Sequence, residues 1–219
     1  MTLQASLDAV RSRVGAAAER AGRDPARVCI VGAVKGMDTT VLKSALAAGL
    51  RDFGENFVQE AEAHRAAIAA DAARWHCIGH LQSNKAAAAA RLFDTIHSVD
   101  SLRLAQQLSR RAEAPLAILI EVNVAGEVSK YGVRPADVAG LARAVACLPN
   151  LQLTGLMTLA PAVSDPQLVR PVFRELRDLA SANGLSELSM GMTDDFEVAV
   201  EEGSTMVRIG RAIFGERPA

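Results

Sequence analysis

The chain has 219 residues, half of them hydrophobic, few aromatic, with a formal net charge of −1 at neutral pH. A length of this order buries a sizeable core in one or two domains, and the near-balanced charge excludes the basic footprint of a nucleic-acid binder and any electrostatic pull towards an anionic membrane. The first twenty residues carry Arg11, Arg13 and Arg20 without a continuous apolar core, which reads as neither a signal peptide nor a transmembrane segment, so the cytoplasm is the expected location.

Leu3, Leu7, Val10, Val14, Ala17 and Ala21 recur at spacings of four and three and predict an amphipathic helix that Gly22 is placed to stop. Val28–Lys35 then runs seven apolar or small residues into one lysine. Such a run reads as a strand buried on both faces. A buried ammonium loses its hydration, so Lys35 either ends the strand in solvent or stands at its mouth for a chemical reason. From there the chain alternates. Asp38 or Thr39 caps a helix closed by Gly49, a short strand at Asp52–Phe53 leads into Gly54-Glu55-Asn56, and a helix carries Phe57, Val58, Ala61 and Ile68. Trp75–Ile78 is the third strand, and Ser83 is expected to cap the helix Asn84–Arg91. Phe93–Val99 is the fourth strand, before a helix capped by Asp100 or Ser101. Leu116–Val124 is the fifth and most apolar strand. The loop Ala125–Gly132 follows it, and Pro135 opens the next helix. Leu151–Leu159, Glu187–Met190 and Met206–Ile209 are strands six to eight. The helix after strand six runs from Pro166 to Ala182, the one after strand seven starts at a cap on Asp194 or Thr193, and Ala212–Phe214 is a short apolar run after strand eight.

Eight alternating strand–helix units behind an extra N-terminal helix predict an α/β fold, a (β/α)8 TIM barrel, with residues 1–219 as one domain; an open doubly wound sheet is the competitor. In a barrel, the loops after the strands build the active face. Here they bring Lys35, Asn56, His80, His97, Asn123, Met157-Thr158, Ser189–Thr193 and Arg208–Arg211 to one end. Phosphate in barrels is commonly held after strands seven and eight, where Ser189, Gly191, Thr193 and Gly210 offer hydroxyls and open backbone N–H groups. Capping of the following helix is the expected role of Asp194 and Asp195. The three cysteines lack metal spacing and are expected to be buried thiols; His64 is expected on the surface and His76 in the core, and no metal site is expected. A lysine beside a phosphate site suits a Schiff base with a phosphorylated sugar, as in an aldolase, or a lysine-bound pyridoxal phosphate. Arg208 bears on the second reading. An arginine facing a pyridine nitrogen donates and stays protonated, so the ring nitrogen stays unprotonated and the ring is a weak electron sink.

The segments Phe53–Glu60, Trp75–Lys85, Gly155–Met157, Ser189–Glu197 and Gly203–Gly215 together resemble the pyridoxal phosphate homeostasis proteins, whose barrel is like the N-terminal domain of alanine racemase (fold type III). The resemblance covers essentially the whole chain. It implies pyridoxal 5′-phosphate (PLP) as cofactor, held as an aldimine on Lys35. Ser189, Gly191, Gly210 and the backbone at Arg211 would take the phosphate, Arg208 would face the pyridine nitrogen, and Asn56, Asn123 and Met157 would line the ring pocket. Lys130 matches a loop lysine that makes a second, weaker cofactor contact in some members. The implied function is to hold PLP and supply it to apoenzymes with little or no catalysis, as a monomer. An amino-acid racemase, whose second domain and tyrosine base are not expected in a chain ending at Ala219, and a Schiff-base aldolase are the alternatives. Two departures from the family stand out. Val34-Lys35-Gly36-Met37-Asp38 replaces the usual Ser-Lys-Thr-Lys-Pro, and His80 and Arg211 stand where proline and threonine are common.

Overall fold

The computed structural model describes residues 2–69 and 72–216. Thr2 accepts the Ala5 N–H and starts α1 (Leu3–Arg20), which buries Leu7, Val10, Val14, Ala17 and Ala18 along one face. Strand and helix then alternate as β1 (Cys29–Ala33), α2 (Thr39–Ala47), β2 (Asp52–Glu55), α3 (Val58–Ala67), β3 (Arg74–Cys77), α4 (Ala86–Leu92), β4 (Thr95–Val99) and α5 (Leu102–Arg111). The second half follows as β5 (Leu116–Glu121), α6 (Val138–Ala146), β6 (Leu151–Met157), α7 (Arg170–Ala182), β7 (Glu187–Ser189), α8 (Phe196–Glu201), β8 (Met206–Ile209) and α9 (Arg211–Phe214). Each strand is parallel to the next, and β8 returns to β1 with Cys29 opposite Met206 and Gly32 opposite Ile209. The sheet is a closed (β/α)8 barrel, which removes the open-sheet alternative.

Two packed regions hold it. The larger lies between strands and helices and includes Phe53, Trp75, Ile96, Leu104, Leu108, Ile118, Phe173 and Phe196, all fully buried. Phe53 and Trp75 stack there with ring centres 5.5 Å apart. Inside the barrel the apolar layer is small: Val31, Leu119, Met157 and Met206, with Cys29, Ile78 and Leu159 against it. The rest of the interior is polar.

Several boundaries differ from the expectations. Strand one ends at Ala33, because Gly36 turns the chain at φ +69° and Lys35 rides the turn. Strands four to seven are each shorter than their apolar runs, whose remaining residues enter the loops at the mouth or precede the strand. Ser83–Lys85 is a single 3-10 turn without a side-chain cap, and α4 begins only at Ala86; Pro166–Val169 is also a 3-10 turn, capped by Asp165, before α7. Asp38 and Ser101 do cap their helices, accepting the N–H groups of Thr40 and Leu104. Neither Thr193 nor Asp194 caps α8: Asp195 precedes it and accepts the Met192 N–H instead, bracing the loop. His64 is buried, not on the surface, and Cys147 is exposed, not in the core.

Candidate functional site

Lys35 lies just past β1 at the C-terminal end of the barrel, half-buried, with Nζ 4.9 Å from the centre of the Phe57 ring. The turn that carries it is fixed from outside the barrel. Glu60 accepts the Gly36 N–H at 2.9 Å, and His64 reaches the Met37 carbonyl at 3.0 Å and Glu55 Oε1 at 2.5 Å. Asn56 follows β2 directly, half-buried. Its backbone presses on Gly79, where an added Cβ would sit 2.6 Å from the Asn56 carbonyl oxygen, so only glycine fits.

Arg208 faces inward from β8 at 4% exposure. It donates to Ser189 Oγ and, at 2.8 Å, to the Thr158 carbonyl. Burial pulls its pKa down to about 10, with Asp195 and Glu121 opposing the fall, so it remains a cation at neutral pH. Ser189 Oγ also lies 2.8 Å from His97 Nδ1. Since β4 and β7 are not neighbours, this contact crosses the barrel interior. Behind it, His97 Nε2 lies 2.9 Å from His76 Nδ1, and His76 Nε2 lies 3.0 Å from Asp52 Oδ1. Burial, reinforced by His76 and Arg208, pushes the His97 pKa well below the ordinary imidazole range. Burial disfavours the Asp52 charge, but the hydrogen bonds from His76 and Arg74 outweigh it and hold the carboxyl below its usual range.

The expected site residues therefore divide. The Ser189 hydroxyl is fully buried and committed to Arg208 and His97, so it holds the arginine and is not free to take a phosphate. Thr193 is half-buried in the same loop. Gly191 is buried at φ +95°, where an added Cβ would lie 2.6 Å from that of Ala199, and its carbonyl accepts the Arg208 N–H. Gly210 precedes α9 and receives the N–H groups of Ile213 and Phe214, while the first N–H groups of a helix lack partners within it. The Arg211 guanidinium turns outward onto Asp194, at 2.6 and 2.7 Å, leaving its backbone as the part near the mouth. Asn123, half-buried, braces its own loop, donating to the carbonyls of Glu127 and Lys130 and accepting the Glu127 N–H. Lys130 is tied to the Leu159 and Ala160 carbonyls and to Glu127. Met157 is the apolar floor beneath the mouth, in contact with the inner cluster.

Two carboxylates escaped the sequence reading. Glu121 ends β5, inward and 4% exposed, with Oε2 lacking a hydrogen-bond partner; burial and then Asp100 raise its pKa to about 7 against the pull of Arg208. Glu55 is likewise buried and raised to about 7 by burial, despite its bond to His64. A glutamate inside the apolar run LAILIEVNV was the available signal for the first, because a buried charge needs a reason.

Residues 5–218 match the family model described as "Alanine racemase, N-terminal domain". A pyridoxal phosphate homeostasis protein of Pseudomonas aeruginosa is 45% identical over 221 residues, spanning 99% of this chain and 96% of that protein. Among solved structures, PipY of Synechococcus elongatus PCC7942, determined with PLP bound, aligns with a TM-score of 0.85 and 34% identity over 98% of this chain and 100% of its own. The alanine racemase of Corynebacterium glutamicum, at 22% identity and a TM-score of 0.70, shares the fold, and this chain covers 62% of it. With its barrel, its mouth and these relatives in agreement, the chain belongs to the pyridoxal phosphate homeostasis proteins of the alanine racemase N-terminal domain family.

Proposed function

We propose that this protein binds PLP at the C-terminal mouth of the barrel, holds it without turning over a substrate, and hands it to apoenzymes in the cytoplasm, acting as a monomer. The observation that carries the reading is Arg208: a buried, fixed cation at the floor of a mouth whose rim holds Lys35 on one side and the start of α9 on the other. The residues fit the cofactor. The bonds of Arg208 to Ser189 and Thr158 account for two of the five N–H donors of a guanidinium, and donors remain for a ring nitrogen. PLP supplies an aldehyde that condenses with an amine, on a pyridine ring that draws electrons most strongly when its nitrogen is protonated. Lys35 would offer the amine. Arg208 would donate to the ring nitrogen without surrendering a proton, which would keep the ring a weak electron sink and suits storage over carbanion chemistry. The backbone N–H groups opening α9 would be available to the phosphate.

The test is spectroscopic. The purified protein, given PLP, is expected to be yellow, and borohydride reduction is expected to leave a pyridoxyl group on Lys35. A colourless protein that takes up no PLP would defeat the proposal, and steady formation of D-alanine from L-alanine would defeat the carrier reading in favour of a racemase. Lys35→Ala is expected to lose the reducible attachment while retaining weaker, non-covalent binding through Arg208 and the α9 backbone. Light scattering is expected to give a mass near the 23.1 kDa of one chain.

A further inference from the structure

Behind Arg208 the barrel interior holds an unbroken line of hydrogen-bonding groups that the proposed function leaves unexplained. It runs from Arg208 near the mouth through Ser189, His97 and His76 to Asp52 at the start of β2, where Arg74 closes it with Nε and one terminal nitrogen each 2.7 Å from the carboxylate. Every link between the two arginines is buried, whereas the Arg74 side chain is 66% exposed on the opposite face.

The direction of the line follows from its ends. A guanidinium only donates and an ionised carboxylate only accepts, whereas neutral histidine does one of each and a serine hydroxyl has a single hydrogen to donate. Arg208 donates to Ser189 Oγ. Were His97 to donate to the same oxygen, the single hydroxyl hydrogen would be left without an acceptor at a site of 0% exposure. The hydroxyl therefore donates to His97 Nδ1, which places the His97 proton on Nε2. That N–H donates to His76 Nδ1, which places the His76 proton on Nε2 in turn, and this last N–H donates to Asp52. Both histidines are neutral, and no buried donor on the line is wasted. The suppressed charge on His97 agrees with this assignment.

We propose that Ser189, His97, His76 and Asp52 are positioning residues forming a one-way hydrogen-bond relay that aims Arg208 at the mouth, with its polarity set at the opposite face by Asp52 and Arg74. The tautomers are a property of the protein alone; the link to affinity rests on the PLP reading above. At the far end Asp52 Oδ1 takes both the His76 Nε2–H and the Arg74 Nε–H, and Oδ2 takes the second Arg74 nitrogen, so both oxygens of the carboxylate are held as acceptors and the line ends on one.

The experiment uses the full chain labelled with ¹⁵N-histidine. Without cofactor at pH 7, long-range proton–nitrogen correlation is expected to show His76 and His97 as neutral Nε2–H tautomers. Ser189→Ala is expected to weaken binding of added PLP about 10-fold, the size expected for one lost hydrogen bond to a charged group. An Nδ1–H tautomer or an imidazolium at either histidine of the unaltered protein overturns the relay, and that spectrum decides the matter even if the variant fails to fold. Correct tautomers with unchanged PLP affinity in folded Ser189→Ala overturn the aiming role. Correct tautomers in a protein that binds no PLP at all leave the relay standing and refute the cofactor reading instead.

Discussion

Glu121 shows how one side chain takes its chemistry from its surroundings. With its carboxyl raised from 4.5 to about 7 by burial and Asp100, the folded protein holds a proton that the unfolded chain releases between those values. Stability from this group is therefore fully present below pH 4.5 and is lost as the pH rises through 7. Glu121→Gln keeps the shape and removes the titration. In the absence of PLP it is expected to match the parent at pH 4.5 and exceed it by about 1–3 kcal/mol at pH 8 in urea unfolding; equal stabilities at pH 8 would refute the assignment. Glu55 titrates over the same range in both proteins, so the difference isolates Glu121. At this scale Lys35 and Arg208 were legible, because a lysine after an apolar strand and an arginine inside one are both costly to place. The role of Ser189 was not. Its hydroxyl partner is His97, 92 positions away, and only barrel closure brings β4 opposite β7.

Among the elements, the loop after β5 is held by few but specific contacts. Asn123 makes three hydrogen bonds into it, Gly132 returns it at φ +108° to the β5 end, and Tyr131 stacks on His80 with ring centres 3.6 Å apart. His80 in turn lies 3.5 Å from Asp100, so Tyr131, His80 and Asp100 link the loops after β5, β3 and β4. Asn123→Ala is expected to cost the closed loop about 1–3 kcal/mol and to raise amide hydrogen exchange of residues 124–132 roughly 10-fold or more, with exchange in β5 itself unchanged. Unaltered protection of that stretch would refute the brace. The stretch Ala125–Gly132 was legible as a loop; that Asn123 just before it braces the loop was not, because an amide carries no mark of where it points. Helix starts divide the same way. Asp38 and Ser101 cap as read, whereas Asp194 is claimed by Arg211, which lies seventeen residues on.

For the whole molecule, α1 closes the seam where the barrel's two ends meet. It packs on α8 and α9, beside the β8–β1 pairing, and Arg23 just beyond it donates to the carbonyls of Val200 and Ser204. The Arg13–Glu197 and Arg20–Glu201 pairs are largely exposed and contribute little. The buried face does the holding, and Leu7 at 0% exposure is its centre. Leu7→Ala is expected to lower unfolding stability by about 2–5 kcal/mol in urea, while an exposed neighbour such as Gln4→Ala changes it by less than about 0.5 kcal/mol; a comparable loss in both would show that α1 is not held by this face. No helix among the described residues is long and apolar enough to cross a membrane.

The sequence by itself determined the order and kind of the elements and their succession as eight strand–helix units, since local periodicity, caps and turn residues are written into contiguous stretches; that the sheet closes was decided by the tertiary structure. Tertiary structure alone decided which polar side chains face each other across the barrel. Ser189, His97, His76 and Asp52 come from four strands, and each took its partner from alternation and register, which no single stretch contains. The same closure that buried them left them no water to satisfy their donors, and that constraint gives the line its direction.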